Sequence, residues 1–221
     1  MLLWCQTGHF QKICADSKRQ STVWADTLVM VPVLGIVMGA VEFAVRHWHI
    51  PAAVGRKILH VLMCLAIVSS TIFVDYRVYI WCGAIFTVVM AASRHWHMAS
   101  LASRRADSIG EVCFPFGVGV AALVSDRQAA FMLAVALLGA ADTLAFVVGS
   151  RFGHPIRTGK SFAGSAAFIV TALVILLPTV PAPIAFATAV MATIGEAVGV
   201  RGWDNVVIPV VTALCLRYAG F

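Results

Sequence analysis

The chain has 221 residues, 61% hydrophobic and 12% charged, with a formal net charge of +6. A soluble domain carries roughly 45–50% apolar and about 25% charged residues. The mean hydropathy of +0.92 and the recurring long apolar runs exclude a secreted disulfide scaffold, a disordered chain and a fibrous repeat. The runs are continuous rather than alternating, which also argues against an outer-membrane barrel. The fold expected is all-α, a polytopic helical bundle in a membrane.

Residues 1–25 mix polar, basic and aromatic side chains and lack the apolar core and cleavage site of a signal peptide, so they read as a mobile or interfacial N-terminal leader. Residues 26–221 read as a single transmembrane domain. About eight spanning helices are predicted, at 27–45, 58–74, 77–93, 111–124, 129–149, 162–180, 182–200 and 205–219. The fourth and eighth are short and contain Pro115 and Pro209, and the fourth adds Gly117 and Gly119. Both are expected to be broken helices, with their free backbone groups satisfied by protein or by a wet cavity. Pro178, Pro181 and Pro183 mark a tight turn between the sixth and seventh helices.

The larger share of the Lys and Arg residues, including Arg46, Arg56, Lys57, Arg94, Arg104, Arg105, Arg151, Arg157, Lys160 and Arg201, falls in loops on the side opposite the N-terminus. That side is therefore expected to be cytoplasmic. The same distribution, short basic loops between apolar blocks, argues for lipid headgroups rather than nucleic acid as the partner of the positive charge. Arg46-His47-Trp48-His49 and Arg94-His95-Trp96-His97 form a near-repeat at two helix ends. Residues i and i+2 do not share a helix face, so headgroup anchoring explains them better than metal binding. The six cysteines form no C-x-x-C pair, and neither a disulfide framework nor a zinc site is indicated.

Ionisable residues inside membrane segments are costly and mark function by default. Glu42, Lys57, His60, Glu111, Asp142, Glu196 and Asp204 all fall toward the expected cytoplasmic side, and the loop Arg151–Ser165 there is rich in glycine and basic residues. The expected site is a cytoplasm-facing polar cavity, acidic at its base and basic at its rim. Carboxylates beside Lys, Gly and Ser suit a magnesium-bound nucleotide, because Mg²⁺ takes one or two carboxylates plus phosphate oxygens. Gly159-Lys160-Ser161-Phe162-Ala163-Gly164-Ser165 opens the sixth helix. Backbone N–H groups at such a helix start can meet phosphate. The alternative for this segment is a basic loop whose small residues pack a helix start. The glycine spacing does not fit a P-loop, and the segment before it is a membrane helix rather than a strand.

The residues resemble the dolichol kinase and phytol kinase group of integral membrane enzymes, which includes the CTP-dependent diacylglycerol kinases, and more distantly phosphatidate cytidylyltransferase. The resemblance spans about residues 55–210. It rests on Arg56-Lys57-x-x-His60, on Ser108-x-Gly110-Glu111-x-x-Phe114-Pro115-x-Gly117, and on Ala141-Asp142-x-x-Ala145-x-x-x-Gly149-x-x-Phe152-Gly153. Gly159-Lys160-Ser161-x-x-Gly164-Ser165, Glu196 and Gly202-x-Asp204-Asn205-x-x-x-Pro209 follow in the family's order. One departure is Ala163, where family members often carry an acidic residue.

The resemblance implies a catalytic domain that transfers a phosphoryl group from CTP to a membrane lipid alcohol, an isoprenoid alcohol or diacylglycerol, at the cytoplasmic face. Phosphoryl transfer is largely positioning and charge neutralisation. On that reading Asp142 is the magnesium ligand, and Glu196, or Asp204 with Asn205, completes the metal shell or holds the nucleotide. Gly159, Lys160, Ser161, Gly164 and Ser165 hold the triphosphate, and Arg56 and Lys57 offset charge on the transferring group. Glu111 is a candidate base, or alternatively a carboxylate stabilised by a helix N-terminus. His60 meets either a phosphate or a neighbouring helix, and Ser108 is a further site candidate. The short fourth and eighth helices suggest a lateral opening for the lipid tail. Cytidylyl transfer is the runner-up, although the Lys-Asp pair and closing Asp-Arg-x-Asp of the cytidylyltransferases are missing here. A transporter would place its polar residues at the midplane of a repeat interface, and a purely structural protein would not need so many buried carboxylates.

Overall fold

The computed structural model describes residues 2–93, 109–154 and 160–221. They form α1 (Leu2–His47), α2 (Ala52–Ser70), α3 (Val78–Ser93), α4 (Gly110–Val124), α5 (Gln128–Ala136), a π-helical segment (Leu137–Ala141), α6 (Asp142–Phe152), α7 (Phe162–Leu176), α8 (Ala182–Val198) and α9 (Asp204–Tyr218). No β-strand occurs among the described residues. Helix α5, the π segment and α6 make one rod, Gln128–Phe152.

Among the described residues, three helices are long and apolar enough to cross a membrane: Thr22–His47, Ala53–Ser70 and Gln128–Phe152. Helices α3, α4, α7 and α8 are apolar but shorter. A helix of 15 residues such as α7 rises about 22 Å, less than the roughly 30 Å of a hydrocarbon core.

One expectation changes and another gains detail. Within the stretch 1–25, expected as a leader, the chain is helical from Leu2, as the first part of α1. Its sequence has no proline before Pro32 to stop it. The fourth and eighth predicted helices are short but unbroken, with Pro115 inside α4 and Pro209 inside α9. Each proline lies early in its helix, so it deletes a single i→i−4 bond near a terminus.

Helices α4 and α9 are packed directly against each other. A Cβ on Gly117 would sit 2.1 Å from the Asn205 carbonyl oxygen, so α4 and α9 meet backbone to backbone. That carbonyl is the i−4 acceptor whose N–H partner Pro209 lacks. Helices α3 and α4 also pack through glycine, since a Cβ on Gly83 would lie 2.6 Å from the Gly119 Cα. Small residues at such crossings let helices associate by close packing where no hydrophobic drive exists.

The rod Gln128–Phe152 is central and contacts α2, α4, α7 and α9. Phe131, Leu137 and Leu138 on it are fully buried, as are Phe168 on α7, Ile208 on α9 and Tyr79 on α3. Helix α1 lies at the periphery, against α2 and α3. Outward side chains such as Ile36, Phe73, Val88 and Val174 are apolar and exposed, as expected of a surface that meets lipid rather than water.

Candidate functional site

The π segment positions the centre of the site. At its end the Asp142 N–H bonds the Leu137 carbonyl, an i→i−5 step. That step leaves the Leu138 carbonyl without the partner a regular helix would supply. The His60 Nε2–H donates to it at 2.9 Å, which fixes the histidine tautomer. Single π turns of this kind recur at functional sites. Helix α2 can come this close because residue 139 is glycine: a Cβ there would lie 2.6 Å from the Cys64 Cβ.

Asp142 is buried and receives a hydrogen bond from Lys57 Nζ at 2.5 Å. His60 Nε2 lies 3.8 Å from the same carboxylate oxygen. Lys57 and His60 stand one turn apart on α2, as their spacing predicts. Asp142 lies about 15 Å before the helix end at Phe152, since the helix continues past the predicted boundary at 149.

A second cluster forms where α7, α8 and α9 meet. Lys160 Nζ sits 2.9 Å from Glu196 Oε1 and 2.7 Å from Asp204 Oδ2. The Ser165 hydroxyl donates to Glu196 Oε2 at 3.1 Å. Burial works to lower the Lys160 pKa, but the Asp204 and Glu196 carboxylates outweigh it and hold the ammonium above the ordinary lysine range. Lys160 therefore stays charged at any physiological pH.

Ser161 and Gly164 have local roles. The Ser161 side chain caps α7, accepting from the Gly164 N–H at 3.1 Å. A Cβ on Gly164 would lie 2.8 Å from the Ala145 carbonyl oxygen, so this glycine also lets α7 pack on α6. Asn205 donates through its side-chain amide to the Gly110 carbonyl at 3.4 Å, and its N–H bonds Asp204. Gly202, in the left-handed region at φ +100°, lies against Gly110, and the Ile109 N–H bonds the Arg201 carbonyl at 3.0 Å. These contacts bring the starts of α4 and α9 together. Gly159 and Ser108, like the second Arg-His-Trp-His copy at 94–97, lie outside the described residues.

Lys57, His60 and Asp142 of the first cluster and Asp204 of the second border a cavity of about 160 Å³. Arg56, Lys57, His60, Glu111, Asp142, Asp204 and Asn205 line its polar mouth, where most are partly exposed. From there it runs between α1, α2, α3 and α4 into an apolar arm lined by Leu34, Met63, Ile67, Cys82 and Phe86, all buried. Tyr79 lines the far end. Its hydroxyl is hydrogen-bonded to Ser70, and its ring stacks on Phe131 with centroids 5.5 Å apart. The sequence marks the ionisable residues of the mouth but not the arm. In a chain this apolar, Cys82 or Leu34 looks like any other core residue.

Among the described residues, no three His, Cys, Asp or Glu side chains converge into a metal site by themselves. Asp142 and Glu196, the residues expected to bind magnesium, each face a lysine. Magnesium takes one or two carboxylates plus phosphate oxygens, so either carboxylate would need a triphosphate to supply the remaining ligands. No protein-family model, curated protein or solved structure matches the chain.

Proposed function

We propose that the chain is a CTP-dependent lipid-alcohol kinase of the membrane. In this reading α1, α2, α3, α4, the rod Gln128–Phe152, α7, α8 and α9 make eight crossings, and the polar mouth faces the cytoplasm. The observation that carries the reading is the joining of two unlike surfaces in one cavity. Arg56 and Lys57 with the carboxylates of Glu111, Asp142 and Asp204 line one end, and an apolar arm leads from it. A nucleotide needs the first and the tail of an alcohol needs the second. A transporter needs a path through the bundle, and the arm ends at Tyr79.

The nucleotide triphosphate enters at the mouth and draws Lys57, Lys160 and Arg56 toward its oxygens. Asp142 and Glu196, with Asp204, would then be free to hold magnesium, which would neutralise charge on the phosphates. The acceptor lies with its tail in the arm and its hydroxyl at the mouth. Glu111 takes the hydroxyl proton, the alcohol oxygen bonds the γ-phosphorus, and the β–γ bridging bond breaks to release CDP. Helix packing excludes water from the arm and holds the acceptor in line, the positioning on which phosphoryl transfer depends.

Purified protein in detergent, supplied with CTP labelled in the γ or the α position, tests this. Label from γ should appear in the alcohol product. Incorporation of α label with phosphatidate as acceptor would instead make the protein a cytidylyltransferase. Orientation is tested with single cysteines in a Cys-free background. Trp48→Cys and Trp203→Cys, both at exposed positions at the mouth end, should resist an impermeant thiol reagent in whole cells. Asp126→Cys, at the opposite end, should react.

A further inference from the structure

We propose that the acceptor is a short-chain alcohol of roughly five to ten carbons, its apolar body held by the arm, rather than a long-chain lipid. This deepens the kinase reading and rests on it. A long tail needs either a deep tunnel or a side exit to the bilayer. The arm offers little depth, because Tyr79, fully buried and held by Ser70 and Phe131, closes its end. Leu34, Ile67 and Cys82 on its walls are each 2% exposed. Between α4 and α9 the backbone contact at Gly117 leaves no side exit.

Volume sets the scale. The whole cavity measures about 160 Å³, and an apolar protein cavity of about 150 Å³ takes one benzene, roughly six carbons. The flexible side chains of Met63 and Met90 line the arm and can give way for a few carbons more. A tail of about twenty carbons would need several times the space. The polar mouth and the apolar arm together specify a molecule with one hydroxyl and a compact apolar body.

The test is an acceptor series of isopentenol, geraniol, farnesol and phytol, each longer than the last. Phosphoryl transfer from γ-labelled CTP to the full chain should favour isopentenol or geraniol. It should fall at least about tenfold at farnesol, since one surplus methylene in an apolar pocket already costs roughly 10–200-fold. Phytol used as well as geraniol would overturn the inference and leave the kinase reading standing. Thermal melting separates the two in the other direction. Geraniol should raise the midpoint, phytol should not, and Cys82→Phe, which fills the arm, should abolish the geraniol shift. A geraniol shift that obeys this pattern without transfer to any acceptor would keep the arm as a short-alcohol site and remove the kinase reading. No geraniol shift, or one unchanged in Cys82→Phe, would overturn the inference. Ile67→Ala deepens the arm and should improve farnesol relative to geraniol about tenfold. An unchanged ranking in that variant counts against the arm as the selector.

Discussion

The two lysines of the site are held in different ways. Lys57 faces one carboxylate, Asp142, across the contact between α2 and α6, and the side chains are 17% and 4% exposed. Lys160 comes from the connection before α7 and bridges two carboxylates, one near the end of α8 and one in the first turn of α9. The first arrangement balances one charge with one and pins two helices at buried depth. The second sets one cation against two carboxylates. Its Asp204 is further favoured by the α9 N-terminus, and its Glu196 is steadied by Ser165. The first is thus built for fixed geometry. The second has negative charge to spare, which suits it to accept a further cation when a triphosphate draws Lys160 away.

The largest effect expected is on turnover. Asp142→Asn keeps the shape of the side chain and removes its charge, and it should abolish phosphoryl transfer while the protein stays extractable in folded form. Near-normal activity in that variant would reduce the Lys57–Asp142 pair to a structural pin.

Next comes stability. Lys57→Met leaves the Asp142 charge buried without its lysine, which should cost about 3–5 kcal/mol, the typical result of removing one partner of a buried pair. Adding Asp142→Leu to that variant should restore most of the loss. Denaturation in detergent measures both, and a double variant no better than the single would show that Asp142 has other essential partners.

Lys160→Ala tests the looser cluster. Losing one charged contact to the triphosphate should cost about 1.5–3 kcal/mol, or roughly ten- to a hundred-fold in the nucleotide KM. The acceptor KM should hardly change. A rise in the acceptor KM alone would move the nucleotide to the other half of the site. The smallest effect on the nucleotide KM belongs to Ser165→Ala, which removes one hydrogen bond to Glu196. At about 1.5–3 kcal/mol for a bond to a charged group, it should show in the magnesium dependence of the rate before it shows in the nucleotide KM. A magnesium titration of both variants ranks the two contributions.

The sequence by itself determined the helices and most of the mouth. Eight apolar blocks were legible because each is continuous and punctuated by Pro, Gly or charge, and most of their limits lie within a few residues of the helices. The exception is the N-terminal stretch, whose polar composition concealed a continuous helix. Lys57, Asp142, Lys160, Glu196 and Asp204 stood out because charge is rare and costly in such a chain. Which lysine meets which carboxylate was decided by tertiary structure, since the π segment before Asp142 turns on a single backbone hydrogen bond that no residue type announces. Tertiary structure also set the roles of Ser161 and Gly164 at the start of α7, the closure at Gly117, and the arm that ends at Tyr79. Apolar side chains carry no mark of whether they face lipid, core or cavity, because their burial is favourable against any apolar partner. The packing of α1 through α4 alone separates the residues that line the arm from those that fill the core.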